Sequence, residues 1–162
     1  MKSMITTLAA ALALLGAACQ AGAQTAPAPG PKPGSLGIGI LLGDPTSASF
    51  KYWLDGRQAI DAGVGVSENL VLHGDYVYHG WELTPQPSRG RLAAYLALGG
   101  RLEFEDQTDF GIRLVPGLSY WPRMATRSAE LFLELGPVIR LTNGVRGTVD
   151  GGFGFRFYFD RK

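Results

Sequence analysis

The chain has 162 residues, with 15 basic and 14 acidic side chains, one cysteine and 23 glycines, and only 18% of its residues are charged, against roughly 25% in an average soluble domain. The near-neutral balance excludes an electrostatic surface for nucleic acid, and a single cysteine excludes an internal disulfide framework or a cysteine-based zinc site. The length fits one domain of ordinary size.

Residues 1–23 have the features of a secretory signal peptide. Lys2 supplies the positive start, residues 5–15 form an apolar run, and Ala21-Gly22-Ala23 fits the small-x-small cleavage pattern. The apolar run is shorter than the roughly 20 residues that a membrane-spanning helix needs. We therefore expect cleavage after Ala23, which removes only Lys2 among the charged residues and leaves equal numbers of acidic and basic side chains.

Cys19 leaves one alternative open. Residues 15–19 (LGAAC) resemble a bacterial lipoprotein box, in which Cys19 would become the lipidated first residue. Glycine three positions before the cysteine fits that box poorly, so the favoured interpretation is that Cys19 leaves with the signal peptide.

Residues 24–34 form a linker rich in proline, alanine and glycine. They include four of the ten prolines of the chain and no apolar side chain larger than alanine. Such a composition predicts an extended, polyproline-type spacer. The folded domain is therefore expected over residues 35–162.

From Leu36 onward, apolar and polar residues alternate with a period of two, and turn residues interrupt the alternation at short intervals. The pattern predicts eight strands, over residues 36–42, 47–54, 59–67, 70–79, 91–104, 110–121, 129–140 and 148–159. Eight consecutive strands joined mostly by short turns predict an all-β, up-and-down antiparallel barrel, because closure removes the exposed sheet edges.

The polar face of these strands combines glycines with isolated charged residues. Its glycines are Gly37, Gly39, Gly63, Gly65, Gly99, Gly111, Gly117, Gly136, Gly152 and Gly154. Its charged residues are Lys51, Asp61, Asp75, Arg101, Glu103, Arg113, Glu130, Glu134, Arg140, Asp150 and Arg156. A solvated surface has no need of glycines, which weaken strands, whereas a narrow interior needs small residues beside large ones. We therefore place this face inside the barrel and the apolar face against lipid.

Five of these charges alternate between acidic and basic on adjoining strands. A register set by the Asn143-Gly144 turn would place Arg156 diagonal to Glu130 and Glu134. Arg140 would lie diagonal to Asp150 in the same way. Charges held away from water need partners, so the pattern predicts an internal network of ion pairs.

Aromatic residues near the strand ends suggest girdles at two membrane interfaces. They are Trp53, Tyr76, Tyr78, Trp81, Tyr120, Trp121 and Tyr158. Trp53 and Trp121 fall in phase with the polar face, so the predicted girdle is imperfect.

Three motifs carry a resemblance to a known group of proteins. They are the segments LGIGI and GDPTS in residues 36–47, FKYWLDG in residues 50–56, and GFGFRFYF in residues 152–159. The chain resembles small eight-stranded outer-membrane barrels of the OmpA/OmpX-like superfamily and is similar to a family of uncharacterised bacterial outer-membrane barrel proteins. The resemblance covers the beginning and end of the domain and implies a structural membrane protein without catalytic residues.

The last strand also resembles the C-terminal signal that the barrel-assembly machinery reads during insertion. Gly154 takes the glycine position, and Phe157 and Phe159 form the aromatic pair. The chain departs from that pattern because residues 160–162 follow the final aromatic residue. Pro116 and Pro137 are a further departure, since proline cannot donate to a ladder, and each predicts a bulge or a shorter strand.

A search for catalytic chemistry finds one weak constellation. His73, Asp75 and His79 point inward from one strand and could supply a base with its orienting group, or metal ligands. Their spacing spreads them over about 20 Å. The simpler interpretation is that His73 pairs with Asp75 inside the barrel and His79 lies at its rim.

The sequence therefore predicts a non-enzymatic, monomeric barrel of the outer membrane with a closed, charge-paired lumen and a structural or envelope-maintaining role. Its expected partners are outer-membrane lipid and, during insertion, the barrel-assembly machinery, with no cofactor and no nucleic acid. Two alternatives stay open: a secreted or periplasmic calycin-like barrel that binds an apolar ligand, and a lipid-modifying barrel enzyme.

Overall fold

The computed structural model describes residues 31–105, 107–123, 129–142 and 144–159. The expected signal peptide, Cys19 and most of the expected linker lie outside the described residues. Asn143 and residues 160–162 also lie outside them.

Eight β-strands account for most of the described chain. They are β1 Leu36–Asp44, β2 Thr46–Trp53, β3 Gln58–Val66, β4 Leu70–Gly80, β5 Arg91–Phe104, β6 Thr108–Trp121, β7 Ala129–Arg140 and β8 Arg146–Phe159. One turn of 3-10 helix, Trp81–Leu83, follows β4. Among the described residues no helix is long and apolar enough to cross a membrane.

The strands close into a barrel. Each strand pairs antiparallel with its neighbours along the chain, and β1 pairs with β8. If paired residues are followed from strand to strand, Ile38 on β1 leads through β2 to β7 and reaches Gly147 on β8. Where β1 pairs directly with β8, the partner of Ile38 is Phe157. The sheet thus closes with an offset of ten residues, which corresponds to strands tilted by roughly 35–45° to the barrel axis. The predicted up-and-down barrel is confirmed.

The chain enters and leaves the barrel at one end, because Leu36 pairs with Phe159. We call this the proximal end and the opposite one the distal end. Residues 54–57, 81–90 and 122–128 connect strands at the proximal end. Residues 45, 67–69, 105–107 and 141–145 connect them at the distal end.

Exposure alternates along every strand, with the odd-numbered residues of β1 to β6 and the even-numbered residues of β7 and β8 pointing inward. The outward positions carry large apolar side chains that are about half exposed, such as Ile60, Leu98 and Phe153. In the described strands, Asp44 at the distal end of β1 is the only charged residue at an outward position.

The two strand prolines interrupt one seam of the barrel without shifting it. Between β6 and β7 the ladder pairs Arg113 with Val138 and resumes at Gly117 with Glu134, in the same register. Pro116 and Pro137 both fall in this gap, where a proline cannot donate its share of the ladder. The expected bulge or shortened strand is therefore wrong: both strands run on, since Pro116 pairs with β5 and Pro137 with β8.

Candidate functional site in the barrel interior

The structure places all eleven predicted charged residues on the inward face. Ten of them are buried, and Arg140 lies at the distal rim with 18% of its side chain exposed. The strands bring these residues together because alternation gives each strand one inward row, and closure of the barrel turns the eight rows toward a common axis.

Arg156 is the centre of a proximal ion cluster. Its guanidinium donates to Asp61 at 2.6 Å, to Glu130 at 3.1 Å, and twice to the Ser49 hydroxyl at 2.9 and 2.7 Å. The Lys51 ammonium donates to the other oxygen of Glu130 at 3.0 Å. Two cations and two carboxylates thus neutralise one another where water is excluded, as buried charges require.

Arg113 is the centre of a second, distal cluster. Its guanidinium nitrogens lie 3.2 Å from Glu134, 3.4 Å from Asp75 and 3.6 Å from Asp150. Each of these four side chains is at most 7% exposed. One cation therefore joins carboxylates from three strands.

The distal cluster continues to the rim of the barrel. Arg101 donates to Asp150 at 2.5 Å and to Glu103 at 3.2 Å, and Glu103 also pairs with Arg140. Arg140 in turn lies 3.6 Å from Asp109. The sequence assigned Asp109 to a turn, but β6 begins at Thr108 and turns Asp109 inward, where it is 4% exposed.

Two aspartates mark the boundary between the clusters. Asp61 on β3 is directly paired with Asp75 on β4, an arrangement that would repel if the carboxylates faced each other. The Asp61 carboxylate instead binds Arg156, and the Asp75 carboxylate lies beside Arg113. The two aspartates thus pair with different arginines, and their carboxylates do not face each other.

The expected diagonal pairs are wrong in register. Glu130 lies directly opposite Arg156, and Glu134 lies opposite Gly152 and binds Arg113 instead. Arg140 lies opposite Arg146 and binds carboxylates of β5 and β6, not Asp150. The physical reason is that residues 141–145 form a five-residue connection, so the ladder is shifted from the one that a two-residue turn would set.

An aromatic cluster fills the proximal end of the interior. Its members are Trp53, His79, Trp81, Tyr95, Trp121 and Tyr158. The Trp53 and Trp121 rings meet edge to face at 5.8 Å, and Trp121 lies 4.6 Å from Tyr158. The prediction that Trp53, Trp81, Trp121 and Tyr158 belong to an outer girdle is therefore wrong, because they supply the apolar volume that closes this end. Tyr76, Tyr78 and Tyr120 do point outward.

Four inward-pointing rings, two of them from the aromatic cluster, lie over glycines of the neighbouring strand. The pairs are Gly37 with Tyr158, Gly63 with His73, Gly117 with Tyr95, and Gly154 with Phe132. At each glycine, an added Cβ would overlap the ring of its partner. Glycine at these inward positions thus lets a large ring lie flat against the barrel wall.

The connection after β4 folds over the proximal mouth. The Trp81 indole donates to the Gly56 carbonyl at 2.8 Å, and the Arg91 guanidinium stacks 4.0 Å above its ring. Arg57 donates to Glu82 at 2.6 Å, and this hydrogen bond lowers the pKa of the Glu82 carboxyl from its ordinary value. Trp81 is 8% exposed, so the connection closes the aromatic cluster from outside.

The histidine constellation does not assemble into one site. His73 Nδ1 lies 3.2 Å from Asp75, as the simpler interpretation expected. His79 is wholly buried, against the rim position that the sequence suggested, and its Nε2 lies 3.0 Å from the Lys51 ammonium. Within the described ranges no group of three or more histidine, cysteine or carboxylate side chains is arranged to hold a metal ion.

The residues of the predicted insertion signal occupy both faces of β8. Gly154 is buried beneath Phe132, whereas Phe157 and Phe159 point outward. Their role in insertion stays a prediction.

Fold and interior together define a class: a closed eight-stranded antiparallel barrel with an apolar exterior and an ion-paired interior. No protein-family model matches the sequence, and no curated protein matches it. The structure is similar to the crystal structure of the N-terminal β-barrel domain of Pseudomonas aeruginosa OprF, with a TM-score of 0.53 and 17% identity over 78% of this chain and 98% of that chain. At this identity the likeness shows the fold, and the resemblance to OmpA/OmpX-like barrels is confirmed at that level.

Proposed function

We propose that the protein is a small integral barrel of the outer membrane, with a closed lumen and a structural or envelope-maintaining role and no enzymatic activity. The observation that carries this proposal is the inversion of polarity, since apolar side chains cover the outside and ion pairs fill the inside. Lipid is the solvent that such an exterior requires.

The exterior argues against the calycin-like alternative. All eight strands present large apolar side chains outward, and many are around 40–55% exposed. A monomeric soluble protein rarely exposes an apolar patch of more than a few hundred Å². A barrel that binds an apolar ligand would also need an apolar interior, whereas Arg113 and Arg156 occupy the centre of this one.

The interior argues for a closed lumen. Eight strands enclose only enough room for side chains, and Arg156 and Arg113 each reach across it to carboxylates of other strands. The aromatic cluster then blocks the proximal end. A role in passing solutes therefore has no continuous path among the described residues.

The positions of the histidines support the non-enzymatic part of the proposal. His73 is held by Asp75 and His79 by Lys51 and the surrounding rings. Neither side chain faces lipid, where a lipid-modifying enzyme would bind its substrate.

Export by a cleaved signal peptide and insertion by the barrel-assembly machinery, with Gly154, Phe157 and Phe159 as the signal, belong to the same proposal. Exposed Phe157 and Phe159 on the final strand support it, since these aromatic side chains are available to a recognising partner.

A monomer is proposed because the barrel closes on itself without a free strand edge.

Fractionation of expressing cells tests the placement. We expect the protein in the outer-membrane fraction, extracted only by detergent, with a gel mobility that changes on heating as the barrel unfolds. Recovery of folded protein in the soluble fraction would overturn the proposal. Changed lipid A in the expressing strain, lost in a His73→Asn or His79→Asn variant that still folds, would favour the enzyme.

A further inference from the structure

The two rims of the barrel carry opposite charge. At the proximal rim, five basic residues form what we call the basic collar: Lys32, Arg57, Arg89, Arg91 and Arg123. The acidic residues in the described proximal connections are Asp55 and Glu82. Among the described residues of the distal rim, the exposed charged side chains are Asp44, Glu68, Glu105 and Arg146. Over the part of the chain that the structure describes, the proximal rim is therefore net basic and the distal rim net acidic.

Tyrosines fix the level of the basic collar relative to the apolar exterior. Four of the six tyrosines of the chain point outward, and all four lie in the proximal half: Tyr52, Tyr76, Tyr78 and Tyr120. Tyrosine is enriched where hydrocarbon meets headgroups. Tyr76 pairs with Leu98 near the middle of β5, but its hydroxyl donates to Gln58 at the proximal end of β3 at 2.5 Å. The hydroxyls of this tyrosine belt therefore mark the headgroup level of the proximal side.

The collar is attached directly to the tyrosine belt. The Tyr120 hydroxyl donates to the Arg89 carbonyl at 2.9 Å. Arg57 directly precedes Gln58, which pairs with Tyr78 across the sheet, and the Arg57 guanidinium donates to Glu82. The basic side chains thus begin where the tyrosine hydroxyls end, at the level of lipid phosphates.

Leu83 adds an apolar anchor at the same rim. It is 74% exposed and lies against Gly80, the last residue of β4 at the proximal end. The Leu83 side chain extends the apolar exterior of the barrel to the level of the basic collar.

We infer that the basic collar is a binding surface for anionic phospholipid headgroups in the leaflet on the side of the chain termini. The inference rests on the proposed membrane placement. A guanidinium donates two parallel hydrogen bonds to a phosphate, and each basic residue near an anionic membrane surface contributes about fivefold in affinity, the equivalent of ~1 kcal/mol. The acidic distal rim repels the same headgroups, so binding is confined to one rim.

Native mass spectrometry of the detergent-folded protein, titrated with phosphatidylglycerol or with phosphatidylcholine, tests the inference. The test variant is Arg89→Gln with Arg123→Gln, because both side chains are exposed, whereas Arg57 is paired with Glu82. The matched control is Arg146→Gln at the distal rim. Heat-dependent gel mobility shows first that each variant is folded.

We expect phosphatidylglycerol to bind the wild type more tightly than phosphatidylcholine does. The double substitution should weaken phosphatidylglycerol binding roughly tenfold or more and leave phosphatidylcholine binding unchanged, and Arg146→Gln should have no such effect. Equal affinity for the two lipids, or an equal loss in the Arg146→Gln control, would overturn the inference. A wild-type protein that needs no detergent to stay folded and soluble would instead overturn the membrane placement.

Discussion

Tyr95 on β5 donates a hydrogen bond of 2.9 Å to Glu134 on β7, across the whole width of the intervening strand β6. The side chain can do so because Gly117 lies opposite both residues and presents no Cβ to the ring. Glu134 in turn holds Arg113. One glycine thus connects the aromatic cluster at the proximal end to the ion network of the distal half.

Gly117→Ala should therefore destabilise the barrel. The added methyl group would overlap the Tyr95 ring and the Leu133 carbonyl, and overpacking of this kind costs typically about 1–3 kcal/mol. The measurement is urea unfolding of the protein in lipid vesicles. Gly147→Ala is the matched control, because nothing lies within 4 Å of the added methyl group. An unfolding midpoint as high as that of the control would contradict this account of Gly117.

Arg156→Gln should cost about 3–5 kcal/mol, because it leaves the Asp61 and Glu130 carboxylates buried with one partner fewer. Unfolding in lipid vesicles measures the loss. Arg146→Gln removes a guanidinium that is 59% exposed, so we expect at most about 1 kcal/mol.

A second substitution tests whether pairing causes the loss. Asp61→Asn added to Arg156→Gln should recover part of the lost stability, because it removes the charge that Arg156 neutralises. If the stability losses of the two substitutions simply add, with no recovery in the double variant, Arg156 does not stabilise the barrel through its pair with Asp61.

Trp81→Ala should open the proximal mouth and expose His79, which lies beneath that ring at a centroid distance of 6.1 Å. Modification by diethylpyrocarbonate, mapped by mass spectrometry, should rise at His79 and stay low at His73, which lies deeper in the barrel beside Asp75. Leu83→Ala serves as the control, because Leu83 lies on the outer surface. Unchanged protection of His79 in the Trp81 variant would show that the aromatic ring is not the closing element.

The fold could be predicted from the sequence because one physical rule governs all eight strands. Lipid outside and charge inside impose a period of two on every strand, and turn residues interrupt it at the strand ends. The same rule identified the eleven charged residues of the interior, since the odd or even position of a residue in its strand decides which face it lies on. The prediction for Pro116 and Pro137 was wrong because this alternation does not show that both prolines lie on one seam, between β6 and β7, which tolerates the loss of their hydrogen bonds.

The pairing of those charges could not be predicted, because it depends on register and on side-chain reach. The length of the β7–β8 connection moved Glu130, not Glu134, next to Arg156. Trp53 and Trp121 lie at strand positions that point to the interior. The sequence nevertheless suggested an outer girdle for them, because aromatic residues near strand ends are typical of membrane interfaces. Asp109 was missed because its polar neighbours resemble a turn, and only the distal extension of β6 turns it inward.

Substitution of an outward residue by arginine at mid-height tests the central claim, a barrel with lipid outside, most directly. Leu98 lies near the middle of β5, points outward and is 56% exposed, whereas Gln58 points outward at the proximal end of β3. In lipid vesicles, Leu98→Arg should lower the free energy of unfolding by about 2–4 kcal/mol and Gln58→Arg by about 0–1 kcal/mol. Equal and negligible effects at the two positions, as expected for a surface that faces water, would contradict the account.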